Sequence, residues 1–208
     1  DELYVDDAAD LVEEMPANVV KRILKQADPE MRRSINQILR YPEYSAGSIM
    51  TTEYVSLRPD MTVGESILRI RRQGVDKETI YTCYVLEKDR RLIGMVTVKD
   101  LLLAPDDEMT IEEMMITNLI YVNTKTDQEE VARMFSKYNF LALPVVDGEE
   151  RMVGIVTFDD AMDVMEEEAT EDMELMSGMT PSEKPYLRSS AFELFKNRVP
   201  WLMLLMVS

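Results

Sequence analysis

Histidine is absent from this 208-residue chain, and cysteine occurs once, at Cys83. A single thiol cannot form an internal disulfide, which fits a reducing compartment. Cys83 lies in the run Ile80–Leu86, which reads as a strand, so a buried structural thiol is expected. Without His or a second Cys the chain lacks the donors of a typical zinc site. It also lacks a Ser–His or Cys–His nucleophile pair, and an enzyme is not expected. Basic residues are scarce: 23 Lys and Arg stand against 40 Asp and Glu, for a formal charge of −17. That balance argues against a nucleic-acid partner, whose phosphates are held by Lys and Arg. It favours cations or basic partners.

What is present is a repeat. Leu92-Ile93-Gly94-Met95-Val96-Thr97-Val98-Lys99-Asp100 returns as Met152-Val153-Gly154-Ile155-Val156-Thr157-Phe158-Asp159-Asp160. Each copy reads as strand, glycine turn, strand and a Thr-x-x-Asp helix start. Around them the pattern is β-α-β-β-α twice. Strands fall at 55–57, 80–86 and 92–97, then at 120–122, 142–146 and 152–157. Thr62 caps a helix through Arg72, and Asp127 caps one through Tyr138. A repeat of this length folds as a pseudo-symmetric pair. Residues 1–40 read as short helices, with Met31, Ile35, Ile38 and Leu39 as one apolar stripe. The fold class is α/β (α+β).

After the second copy comes an acidic helix. From Met152 to Glu183 there is no Lys or Arg, while Asp and Glu crowd the positions between Asp159 and Glu174. Asp160, Asp163, Glu167, Glu171 and Glu174 share a face at helical spacing. Met162, Met165, Ala169, Met173 and Met176 line another, expected to be the apolar side. Met109, Met114, Met115, Met134, Met162 and Met165 have the character of core-gap fillers. Like charges at i,i+4 cost about 0.2–0.5 kcal/mol per pair, and a hard divalent cation held through carboxylates and waters offsets this. A plain solvated acidic face is the alternative reading of the same residues. Oxygen-only donors suit Mg²⁺, Ca²⁺ or Mn²⁺. Thr97/Asp100 and Thr157/Asp160 likewise have two readings, a helix cap or a nucleotide contact.

The doubled Gly-x-Val-Thr-x-x-Asp resembles the tandem CBS (cystathionine β-synthase) pair, the Bateman module. The flanking segments Tyr41-Pro42-Glu43-Tyr44-Ser45-Ala46-Gly47-Ser48-Ile49-Met50-Thr51, Asp6–Leu11, Glu168–Asp172 and Arg198–Leu202 resemble the MgtE family of magnesium channels. The resemblance implies a partial helical N domain at 1–40, a linker at 41–48, a first CBS repeat at 49–112 and a second with its acidic exit helix at 113–176. A connecting (plug) helix at 177–198 then leads to the start of a truncated transmembrane helix at 199–208. Val199–Val207 is uncharged but about half the ~20 residues of a span, and an apolar C-terminal helix docked on the core is the alternative reading. Trp201 suits an interface, and Arg188, Lys196 and Arg198 place what precedes them on the cytoplasmic side. The expected location is therefore the cytoplasmic part of a cell-membrane protein.

The resemblance further implies regulatory Mg²⁺ bridging acidic surfaces to close the pore. Asp6 and Asp10 of the N domain would face Asp160 and Asp163. Glu168, Glu171 and Asp172 would face the plug helix and the protein's own transmembrane pore, with Asp127 and Glu129 as further ligands. In nucleotide-binding CBS pairs, Asp holds ribose and Thr lies near the phosphates. By that likeness Thr97, Lys99, Asp100, Phe140 and Pro144 form an ATP cleft, with Asp160 left to the ion. A homodimer is implied, since CBS pairs commonly associate. An adenine-nucleotide-sensing module whose acids are merely solvated is the rival function.

Overall fold

The computed structural model describes residues 38–176, together with 15, 32, 35, 36 and 199. The chain divides into two compact units, Asp1–Phe158 and Asp159–Ser208. In the first, strand β1 (Tyr54–Leu57) leads through helix α1 (Val63–Gln73) to β2 (Thr79–Leu86), and β3 (Leu92–Thr97) runs into the short helix α2 (Val98–Leu102). Helix α3 (Ile111–Met114) opens the second repeat. There β4 (Val122–Asn123), α4 (Gln128–Tyr138), β5 (Ala142–Val146) and β6 (Met152–Thr157) reproduce the order. Helix α5 (Phe158–Met176) follows.

Each repeat builds one three-stranded sheet, β1-β2-β3 and β4-β5-β6. The first pair in each is parallel and the second antiparallel. Parallel neighbours need a crossover, and α1 and α4 supply it. Both helices start where side chains close their first turn. Thr62 and Glu65 form a reciprocal capping box, and Asp127 accepts from the Glu129 backbone N–H at 2.9 Å. Such caps are worth about 1 kcal/mol each. Helix α4 ends on Asn139 in the left-handed region, φ 53°, a role Asn fills as well as any non-glycine residue. The strand expected at 120–122 is shorter and later, because β4 pairs only at Val122–Val145 and Asn123–Val146.

The two glycines of the repeat are not turn residues. Gly94 and Gly154 lie inside the single strands β3 and β6. Each marks a close approach of chain from the other repeat. Thr51, which leads into the first repeat, exchanges both backbone hydrogen bonds with Ile155 of β6, at 2.8 and 2.9 Å. Ile116, which leads into the second, does the same with Met95 of β3, at 3.0 and 2.9 Å. On the free side of each last strand, one residue is therefore paired with chain from the other repeat, which shortens the exposed strand edge. A Cβ on Gly154 would lie 2.6 Å from the Thr51 carbonyl oxygen, and one on Gly94 would lie 2.5 Å from Met115 Sδ.

Apolar packing follows this crossing. One core fills the first repeat, including Val55, Leu57, Val63, Cys83, Val85 and Ile111. A second cluster joins the repeats through Tyr84 and Leu86 on one side and Ala142, Met152 and Ile155 on the other. Cys83 is buried as expected, and burial pushes its thiol up to about 12. Ile35 and Ile38 are buried too, as their stripe requires. The linker expected at 41–48 is a fixed one: Ala46 and Gly47 donate backbone N–H to Thr126 and Thr124 at 2.7 and 3.0 Å, and Gln128 donates to Tyr44 at 3.0 Å.

Alanine at the two glycines should therefore have unequal effects. In Gly154→Ala the new methyl meets backbone, which cannot yield, and overpacking of this kind costs about 1–3 kcal/mol. In Gly94→Ala the obstacle is a flexible methionine side chain, and relief of glycine's unfolded-state entropy offsets part of the strain. Urea unfolding of the two variants checks this ordering, and equal losses would contradict it.

Candidate functional site

Two sets of residues carry the functional expectation, and each is built on the end of the last strand of a repeat. In the first repeat, Thr97 ends β3 and its hydroxyl oxygen accepts from the Asp100 backbone N–H at 3.1 Å. Asp100 Oδ2 accepts in return from the Thr97 N–H at 3.2 Å and from the Thr97 hydroxyl. The pair is thus a complete capping box for α2. The cap reading of this motif holds in the structure, and it leaves Asp100 Oδ1 as the oxygen not used by that box. Lys99 is exposed beside it. Phe140 is half-buried, stacked on Tyr138 with ring centroids 5.4 Å apart and edge-on to Phe135 at 6.4 Å. Pro144 is buried within β5, opposite Ile155. It lies outside the two-residue pairing with β4, so its missing N–H removes no bond on that side.

The remaining acidic candidates divide by how far their charge is already used. Asp127 is the cap of α4, and Glu129 pairs with Arg133 one turn on. Both therefore have partners within their own helix. On α5, Asp163, Glu171 and Asp172 are exposed, while Asp160 and Glu168 are half-buried. Asp6 and Asp10 lie outside the described residues, as do 177–198. The apolar side of α5 differs from expectation. Ala161, Val164 and Glu174 are its buried positions, whereas Met162, Met173 and Met176 are 46, 69 and 90% exposed. At 100° per residue, Ala161 and Val164 form a narrow strip between the acidic face and the methionine face. Spacing groups residues onto faces, but tertiary packing decides which face is covered.

The electrostatics of α5 bear out the crowding. Partial desolvation first, then the charges of Asp163 and Glu168, hold the Glu167 carboxyl above its ordinary value. The first turn of α5 has acids, which suit the helix dipole, but its last turn has no base. Among the described residues, no three Asp, Glu or Cys side chains converge as a ready-made metal cage. The donor set nevertheless suits a hard ion, since Mg²⁺ takes one or two carboxylates and keeps several waters.

Comparison with known proteins identifies the chain's family. Residues 46–107 and 111–167 match the CBS domain, and residues 1–44 match the MgtE intracellular N domain. The chain belongs to the MgtE family. It is 42% identical to the magnesium transporter MgtE of Thermus thermophilus over 98% of its own length and 46% of that protein's. It is 33% identical to the MgtE of Bacillus subtilis over 97% of its length and 44% of that protein's. This MgtE chain thus spans under half the length of those relatives. Solved structures resemble it as well. One is the soluble part of a magnesium transporter, with TM-score 0.78 and 36% identity over 81% of this chain and 65% of that one. Another is the cytosolic domain of the Mg²⁺ channel MgtE in complex with ATP, with TM-score 0.75 and 45% identity over 78% of this chain and 66% of that one. The relatives named are transporters, not enzymes. Among the described residues no helix is long and apolar enough to cross a membrane.

The raised Glu167 fixes the sign of a pH effect. Its ionisation opposes the fold, so the wild-type chain gains stability as pH falls through the raised value. Glu167→Gln should therefore raise the metal-free melting temperature at neutral pH. The gain should vanish below the ordinary glutamate range, where the wild-type side chain is protonated in both states. Melting curves across pH test this, and a loss of stability at neutral pH would contradict it.

Proposed function

We propose that this chain is the cytosolic Mg²⁺-sensing region of a magnesium channel or transporter. In this reading divalent ions join acidic surfaces and the compact assembly holds the pore shut. The observation that carries it is α5, where nine acids between Asp159 and Glu174 have no basic residue on the helix. Asp160 and Asp163 would share ions with Asp6 and Asp10 of the N domain, and Glu168, Glu171 and Asp172 with the plug helix and pore. Asp127 and Glu129 are weaker ligands, since their cap and their Arg133 pair must be given up first. Domains at 1–40, 49–112, 113–176 and 177–198, a membrane helix from 199 and a homodimer belong to the same reading. So does a cytoplasmic location for this part of a membrane protein.

Without ions the like charges separate the surfaces. An ion shifts that balance only as far as it binds the compact state better, and several weak sites acting together give a steep response. The chain therefore needs no enclosed metal cage. Half-sites of one or two carboxylates on each surface are enough, with waters completing the shell.

The ATP-bound relative favours a second ligand on the same module. Thr97, Lys99, Asp100, Phe140 and Pro144 would receive it, with Lys99 facing phosphate and the uncommitted Asp100 oxygen holding ribose. Asp100→Asn should then weaken ATP binding while leaving the Mg²⁺ response intact.

Small-angle scattering of the 208-residue chain, titrated with Mg²⁺ against monovalent salt at matched ionic strength, tests the main reading. Millimolar Mg²⁺ should reduce the radius of gyration, and Asp160→Ala with Glu171→Ala should abolish the change. Shrinkage no greater than monovalent salt produces would leave the acids as a solvated face and favour the nucleotide-sensing module.

A further inference from the structure

Although the chain has a charge of −17, five of its described basic residues gather at one crevice. A crevice of about 880 Å³ lies between the last described turns of the N-terminal segment and the two hairpin tips of the repeats. Five cations line it, Arg32, Arg40, Lys88, Arg90 and Arg151, against two acids, Asp89 and Asp147. Arg32, Asn36 and Arg40 recur every four residues, the spacing that brings side chains to one side of a helical segment.

Both acids are used in forming the hairpins. Asp89 accepts from the Arg91 backbone N–H at 3.2 Å. Asp147 accepts from the N–H groups of Glu149 and Arg151 at 2.8 and 3.0 Å. Burial lifts the Asp147 carboxyl, but those donors and the Arg151 guanidinium outweigh it and hold the group below its ordinary value. The hairpins are also tied to each other. Arg90, at φ 69°, accepts from the Met152 N–H at 3.0 Å and returns its guanidinium to the Met152 carbonyl at 3.0 Å. Arg40 and Lys88 have no ion pair among the described residues. Arg90 and Arg151 are thus held in place by the fold, Arg40 and Lys88 stand exposed at the rim, and the two acids are turned to backbone donors.

We infer that this crevice binds the polyphosphate group of a small anion, held chiefly by Arg40 and Lys88 with Arg32 and Arg90 around it. Its volume is that of small-molecule sites, and arginine forks suit phosphate oxygens. The chain's net negative charge opposes an approaching anion, and a recess lined mostly by cations focuses the field that attracts it locally. The site is separate from the Thr97/Asp100 pair and does not rest on the proposed function.

The test is calorimetric titration of the full chain with inorganic tripolyphosphate, free of divalent metal and at physiological salt, and with ATP in a second arm. Tripolyphosphate should bind saturably. Arg40→Gln with Lys88→Gln should weaken it about tenfold or more, as expected for two lost charge-assisted contacts. Asp100→Asn should leave it unchanged, as should Arg71→Gln with Arg72→Gln, which removes the same charge elsewhere. Both crevice side chains are exposed, so an unchanged melting temperature should accompany the loss. ATP weakened by the crevice pair would mean that its phosphate tail uses this site, and ATP weakened only by Asp100→Asn that inorganic polyphosphate is the ligand. Absence of saturable tripolyphosphate binding at millimolar concentration, or equal weakening by the Arg71/Arg72 control, would overturn the inference.

Discussion

The architecture depends on one reciprocal contact, in which each repeat lays its lead-in segment on the last strand of the other. Thr51 on Ile155 and Ile116 on Met95 are the same pairing used twice. The contact needs a residue without a side chain on each receiving strand, and Gly94 and Gly154 meet that need. Each three-stranded sheet thus gains one residue of pairing on the free side of its last strand from the other repeat. Because β3 and β6 are the strands held by the crossing, the Thr-x-x-Asp turns at their ends inherit that fixed placement. Of the candidate nucleotide residues, Thr97 ends one of these strands and Pro144 lies within β5, whereas Phe140 sits in the loop between α4 and β5.

Charge is managed differently in the two halves of the molecule. In the repeats, acids are absorbed into structure. Glu65 and Glu113 complete capping boxes, Asp127 caps α4, Glu129 pairs with Arg133, and Asp147 binds its own hairpin and Arg151. Surface pairs of this kind add little stability, but they give these particular acids a local partner. On α5 the acids are too many, too close and without a base within the helix. Monovalent salt screens such repulsion over a Debye length of about 8 Å. It cannot tie one surface to another, which a divalent ion can do through shared carboxylates and waters.

Much of this was legible in the residues. Strand bounds at 92–97, 142–146 and 152–157 could be read because each is a short apolar run bracketed by turn or cap residues. The starts of α1 and α4 were written in Thr62 and Asp127. What failed to show was non-local. The role of Gly94 and Gly154 depends on chain from the other repeat, so a glycine between apolar residues looked like a turn. The covered face of α5 depends on tertiary packing, so the methionine stripe looked like core when it is exposed. The basic crevice draws on residues 32–40, 88–90 and 151, each locally unremarkable and far apart in sequence. For the proposed ion site, the sequence offers donor types but no geometry, because a site shared between surfaces would have no spacing within one segment.

The two copies of the repeat also differ in a way that bears on which ligand each could take. Thr97-Val98-Lys99-Asp100 opens a helix of five residues, whereas Thr157-Phe158-Asp159-Asp160 opens one of nineteen. At the equivalent position one copy carries Lys99 and the other Asp159. A cation beside Asp100 lowers the cost of bringing phosphate near that carboxylate, and an anion beside Asp160 raises it. The same substitution makes the second copy the better neighbour for a divalent ion, and the long helix then extends that character through Asp163, Glu167 and Glu171. In the proposed reading, a duplicated motif would thus separate into an anion-tolerant end and a cation-seeking end by one change of charge and one change of helix length.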